Sequence, residues 1–114
     1  MAIDRASIPL ESEITKKIQR YLSGLDGWWG FKVQGGGQQK RGVPDIVGCY
    51  NGRFVAFEVK RPHVGQLSDL QEHVIGQIKA VEGHAFVVRS VDEVKQIILS
   101  FAARMNGTPT GAGD

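Results

Sequence analysis

Hydrophobic positions along this chain follow two rhythms, one near 3.6 residues and one of two. Leu10, Ile14, Ile18, Tyr21, Leu22 and Leu25 recur at helical spacing and predict a helix over 8–25, with Ser7 as N-cap and Pro9 in its first turn. Glu11 falls within the apolar stripe of that wheel, whereas Glu13 faces water. A first-turn glutamate is also favoured by the helix dipole, so Glu11 has two explanations. After a turn at 24–27, Trp29, Phe31 and Val33 alternate with Gly30, Lys32 and Gln34, the pattern of a half-buried strand. Segments 44–50 and 53–60 read as two further strands, and Asn51-Gly52 between them predicts a tight hairpin with a type I′ turn.

Ser68-Asp69-Leu70-Gln71 has capping-box spacing and opens a helix through about Glu82, with Leu70, Val74, Ile78 and Val81 on its apolar face and Gly83 as the left-handed C-terminal residue. Ala85-Phe86-Val87-Val88 is a continuously apolar, buried strand. Ser90 and Glu93 form a second capping box, opening a helix that carries Val91, Val94, Ile97, Ile98 and Phe101. The order is helix, three strands, helix, strand, helix. Short turns make the three strands an antiparallel meander, and the strand–helix–strand unit from 54 to 88 crosses over right-handed to give a parallel pair. The expected architecture is a small α/β domain with a mixed sheet over 7–104, followed by a disordered Gly/Thr/Pro tail over 105–114.

The hairpin carries the chemistry. Its two-residue turn pairs Tyr50 with Arg53, and the same register sets Asp45 directly opposite Glu58, with Lys60 on Glu58's face. Like charges opposed across a ladder are destabilising, so the pair calls for a cation. Glu11, Asp45 and Glu58 lie on separate elements that can converge on one sheet edge. Oxygen donors without a Cys/His set select Mg²⁺ or Mn²⁺, and the Val59 backbone carbonyl is a natural further ligand. Lys60 would orient or activate a water and offset transition-state charge in phosphodiester hydrolysis; an ion pair with Asp45 or Glu58 is its plainer role.

Composition adds little until those acids are set aside. The 114 residues carry a net charge of +2, but without the three acids fourteen basic residues face nine acidic ones, or +5. Lys40 and Arg41 in the Gly-rich loop 35–42, with Arg61 and His63 beyond the hairpin, form a candidate phosphate-contacting surface; an ordinary solvated loop would look the same. That loop lacks the Gly-Lys-Ser/Thr ending of a phosphate-cradling P-loop. Trp28 and Trp29 are core or interface aromatics, with base stacking as the alternative. The one cysteine, Cys49, excludes an internal disulfide framework and fits a reducing cytoplasm. No apolar run reaches the ~20 residues of a membrane span and there is no signal-peptide pattern, so a cytoplasmic protein is expected.

Pro44-Asp45 followed by Glu58-Val59-Lys60 resembles the signature of the PD-(D/E)XK nuclease superfamily, which has the restriction-endonuclease-like fold. With the Glu11 helix ahead and Leu67-Ser68-Asp69-Leu70-Gln71 behind, the chain is similar, over roughly 10–94, to the VRR-NUC family of virus-type replication and repair nucleases. The resemblance implies an αβββαβ core with a mixed central sheet flanked by helices. It makes Glu11, Asp45 and Glu58 metal carboxylates and Lys60 the catalytic lysine, and gives Gln71 an active-site role that competes with its place in the capping box. It further implies a Mg²⁺- or Mn²⁺-dependent, structure-selective DNA endonuclease in a bacterium or phage-infected host. Short members resemble homodimeric Holliday junction resolvases that cut four-way DNA. A sequence-specific restriction-type nuclease and a non-catalytic nucleic-acid-binding module are the alternatives.

Overall fold

A computed structural model describes residues 4–35 and 40–107. A short 3₁₀ turn, Arg5–Ser7, precedes α1 (Glu11–Ser23), β1 (Trp28–Lys32), β2 (Ile46–Tyr50), β3 (Arg53–Val59), α2 (Asp69–Ala80), β4 (His84–Val88) and α3 (Val91–Gly107). The four strands form one sheet in the order β1-β2-β3-β4. β1–β2 and β2–β3 are antiparallel and β3–β4 is parallel. This is the mixed sheet and element order expected from the sequence.

The hairpin register is also as expected. Tyr50 pairs with Arg53 and Ile46 with Phe57. Asn51 and Gly52 adopt φ of 47° and 88°, the double left-handed conformation of a type I′ turn. Helices α1 and α3 cover one sheet face around a core of Ile14, Ile18, Leu22, Ile46, Val55, Phe57, Val59, Val88, Val94, Ile98 and Phe101. On the other face Ile75 of α2 joins Ala56 and Ala85, with Ile78 and Val47 at the margin. Burying side chains on both faces of β3 makes it the central strand, and its last residues can therefore hold a buried polar site.

Three expectations need correction. Helix α1 begins at Glu11 rather than Ile8, and Ser7 lies in the 3₁₀ turn, its hydroxyl donating to the Asp4 carbonyl instead of capping α1. Strand β1 is reversed in facing: Trp29 and Phe31 are 71% and 53% exposed, and Trp28 is the half-buried residue, packed on Phe57. Gly30 and Gly48 permit this, because a Cβ on either would lie within 2.6 Å of the Trp28 ring. The apolar alternation was real, but the missing side chains of two glycines decided which face is filled. Finally, α2 ends in a Schellman motif whose left-handed residue is Glu82 (φ 67°), not Gly83. Glu82 N–H donates to the Lys79 carbonyl and Gly83 N–H to the Ile78 carbonyl. Gly83 is needed for another reason, since a Cβ there would lie 2.7 Å from Ile78 Cγ2.

A non-glycine residue in this conformation costs roughly 1–2 kcal/mol. Glu82→Gly should therefore stabilise the protein by about 1 kcal/mol, read as a higher denaturation midpoint in urea. The Ser90 hydroxyl accepts from Glu93 N–H as expected, but the Glu93 carboxylate turns to Arg89 N–H rather than to Ser90. Helix α3 runs past the expected end of the ordered chain to Gly107; the rest of the expected tail, 108–114, lies outside the described residues.

Candidate active site

Strand β2 stops at Ile46, which leaves the open end of the hairpin to side chains. Val33 N–H donates to the Asp45 carbonyl, fixing Asp45 at the mouth of the β1–β2 pair. The Asp45 carboxylate then accepts from Val59 N–H at 2.7 Å through Oδ2. In an antiparallel ladder a residue's N–H and C=O point to the same neighbour. The Val59 carbonyl therefore faces the Asp45 side of β3, where the sequence placed it as a candidate ligand.

Glu58 is 2% exposed and Lys60 8%. Glu58 Oε2 accepts from Gln71 Nε2 at 2.9 Å and lies 3.5 Å from Lys60 Nζ, whereas buried Oε1 has no hydrogen-bond partner among the described residues. Burial, then the charge of Asp45 and its contact with the Glu58 carboxyl, push the Glu58 pKa up to about 8, against the downward pull of Lys60. Either a proton or a cation meets the need of such a carboxyl. The orphaned oxygen, the oxygen-only donors and the adjacent Val59 carbonyl fit Mg²⁺ or Mn²⁺.

Gln71 takes its place in the capping box and also reaches Glu58. Its Oε1 accepts from Ser68 N–H, completing the capping box with the Ser68 hydroxyl, and its Nε2 holds Glu58. The cap orients the amide, and the orientation aims a donor at the site.

The third expected carboxylate is placed differently. Glu11 is exposed, the first residue of α1, and the buried stripe starts at Ile14 because Leu10 and Glu11 lie at the helix entry. Among the described residues no three His, Cys, Asp or Glu side chains are grouped to hold a metal ion. The structure thus brings Asp45, Glu58, Lys60 and Gln71 together and leaves Glu11 outside that group.

Arg61 also departs from expectation. Its Nε donates to the Pro9 carbonyl at 3.1 Å and its Nη2 to the carbonyls of Ile8 and Arg5 at 3.0 and 3.3 Å. The guanidinium thereby ties the entry of α1, two residues before Glu11, to the residue that follows Lys60. These bonds give it a structural task that the sequence did not suggest, beside the phosphate contact expected of it. Arg89, which sequence reasoning missed, continues the tie: its Nη1 donates to the carbonyls of Arg61 and Gly65 at 2.6 and 2.8 Å. Gly65 packs so closely that a Cβ would lie 2.6 Å from Arg61 N. An arginine directly after a buried apolar strand was the available signal, but its carbonyl partners are 24 and 28 residues away.

His63 is exposed at φ 65°, centring a γ-turn in which Val64 N–H donates to the Pro62 carbonyl at 2.7 Å. Lys40 and Arg41 are exposed, and Lys40 shares with Lys32, Gln34 and Asp45 the lining of an open groove of about 280 Å³. The rest of the Gly-rich loop, 36–39, lies outside the described residues. Among the described residues no helix is long and apolar enough to cross a membrane.

No protein-family model matches the chain. No curated protein matches it either. Among solved structures it is similar to one described as "VRR_NUC domain", with a TM-score of 0.66 and 22% identity over 80% of this chain and 96% of that one. The α/β, restriction-endonuclease-like fold expected from the sequence is the observed fold.

Proposed function

We propose, from the fold of a VRR_NUC domain and the pairing of buried Glu58 with half-buried Asp45 at the end of its hairpin, that this protein is a divalent-cation-dependent DNA endonuclease. The observation that carries the reading is Glu58: a buried carboxyl with one oxygen unpartnered among the described residues, beside Asp45, with a buried lysine two residues on. Asp45 binds Val59 N–H, but its charge also works against ionised Glu58, and a cation between the two would offset that repulsion.

Asp45, Glu58 and the Val59 carbonyl would hold Mg²⁺ or Mn²⁺, with Glu11 completing the set from the α1 entry that Arg61 ties down. When bound, the cation polarises a phosphoryl oxygen and lowers the pKa of a water. Gln71 keeps the Glu58 carboxyl in one rotamer by bonding Oε2. Lys60, held against the same oxygen, carries the positive charge that orients the attacking water and offsets charge growing on the phosphate. The backbone is held on both sides of the lysine, by Asp45 on Val59 N–H and by the Val88 carbonyl on Lys60 N–H.

The substrate class is branched DNA, four-way junctions foremost, cut by a homodimer during replication, recombination or repair in a bacterial or phage-infected cytoplasm. One such domain offers one site, and a junction needs two cuts, which is what a pair of these domains supplies. Exposed Lys40 and Arg41 and the groove beside Asp45 supply a path for the phosphate backbone. Neutralising both should weaken binding to all sequences and lower the slope of log K against log[salt] by about 1–2; fluorescence anisotropy across a salt series reads it.

The test is incubation with labelled four-way junction, flap, duplex and single-stranded DNA in Mn²⁺ or in EDTA. Manganese-dependent cleavage strongest on the junction supports the proposal. Cleavage only at a fixed sequence in duplex would make the protein a restriction-type nuclease. Metal-independent binding without any cleavage would make it a binding module.

A further inference from the structure

We infer that the free edge of β1 is the surface on which a second copy of this chain docks, joining two sheets into one of eight strands. β1 ends the sheet, so one side of its backbone has no strand neighbour among the described residues. Such an edge is a template for pairing unless it is short, charged or covered. Here it carries the two most exposed aromatic side chains of the described residues, Trp29 and Phe31, whose rings meet edge to face at 5.9 Å. They share the sheet face of Ala56 and Ala85, which α2 covers, but lie at the β1 edge, two strands from Ala56.

The strand is complementary to itself in one register. Gly27 and Val33 bond toward β2, Gly27 through its carbonyl to Asn51 N–H and Val33 through its N–H to the Asp45 carbonyl. Alternation then turns the backbone groups of Trp28, Gly30 and Lys32 outward. A closed homodimer needs a two-fold axis, and strands paired across one run antiparallel. With the axis at Gly30, Gly30 meets Gly30 and Lys32 N–H meets the partner's Trp28 carbonyl, giving four backbone bonds. Trp28 N–H takes no part, being donated to the Leu25 carbonyl.

That register also sets Trp29 opposite the partner's Phe31, in the closely spaced kind of pair, twice over. The one charged residue of β1, Lys32, falls opposite Trp28, so no like charges meet. The four aromatic side chains together would bury on the order of 500 Å². A stable dimer usually buries about 1,200–2,000 Å² in all, so the cluster is the centre of the interface and association depends on protein concentration.

The inference rests on the homodimer proposed above and not on the nuclease activity. Sedimentation equilibrium of the full chain, over a wide concentration range, tests it with three proteins. Wild type should show a monomer–dimer equilibrium. Trp29→Lys/Phe31→Lys sets lysine against lysine and should weaken the dimer at least ~30-fold. Trp29→Lys/Phe31→Glu sets lysine against glutamate in this register alone and should restore most of it. Both positions are exposed, so circular dichroism should find all three folded alike. A dimer that survives the double lysine overturns this surface while leaving the homodimer standing. A wild type that stays monomeric overturns both, and tryptophan quenching by oligothymidylate in that monomer would assign the aromatics to base stacking. Junction cleavage measured in parallel reports on the nuclease reading separately.

Discussion

Between about pH 5 and pH 8, the cation-free protein should lose stability as the pH rises, and Glu58→Gln should abolish most of that loss. The Glu58 carboxyl titrates near 8 in the folded chain, against its ordinary 4.5. Between those values the folded protein keeps a proton that the unfolded chain has released. The stability contributed by this group is therefore full below about 4.5 and lost progressively as pH climbs toward 8. Over that span the loss is at most about 5 kcal/mol, so the melting temperature should fall by several degrees, with a fall of about 20 °C reached only if that full amount is lost at ~4 °C per kcal/mol. Calorimetry in EDTA across the interval measures it. Glutamine keeps an acceptor for Gln71 and Lys60 and removes the acid, so its curve should be nearly flat. A wild-type curve as flat as the variant's would mean that burial and Asp45 do not perturb Glu58.

Lys60→Ala should lower cleavage by 10²–10³-fold, the usual cost of removing one preorganised group that stabilises transition-state charge, while the chain stays folded at neutral pH. Removing one partner of a buried ion pair is normally severe because it strands the other charge. Here the stranded group can take a proton, and losing Lys60 removes the influence that favoured its charged form. The variant should accordingly be pH-sensitive in stability, and most destabilised on the alkaline side. Single-turnover rates with Mn²⁺, beside a melting curve at the same pH, separate the two effects. Loss of activity tracking loss of fold at neutral pH would make Lys60 a structural residue.

These expectations trace to features that were legible in the chain to different depths. The hairpin register could be read because Asn-Gly fixes a two-residue turn, and arithmetic then carries outward to Asp45 and Glu58. The helical stripe of α1 was also legible, but its starting point was not. Nothing local distinguishes a helix entering at Ile8 from one entering at Glu11, and the Arg61 bonds to Arg5, Ile8 and Pro9 carbonyls that shape this entry come from more than 50 residues away. Glu11 was consequently placed in a buried stripe that begins one turn later. In β1 the alternation marked a strand correctly but could not tell which face was filled, because that depended on glycines at 30 and 48 making room for Trp28. Gln71 shows the reverse case, where the capping-box reading held and the same amide also reaches Glu58. Its amide has two ends, and the structure uses one on Ser68 and the other on Glu58.

Glu58 also links folding to ligation. A carboxyl that keeps its proton near neutrality must release it to bind a cation, so binding should be weaker at low pH and accompanied by proton release. Calorimetric titration of Mn²⁺ at pH 7, in two buffers of different ionisation enthalpy, tests the cation site most directly. Wild type is predicted to bind with release of nearly one proton, and Glu58→Gln to bind at least tenfold more weakly with none. Equal binding by the two proteins, or binding without proton release, would contradict a cation held between Asp45 and Glu58.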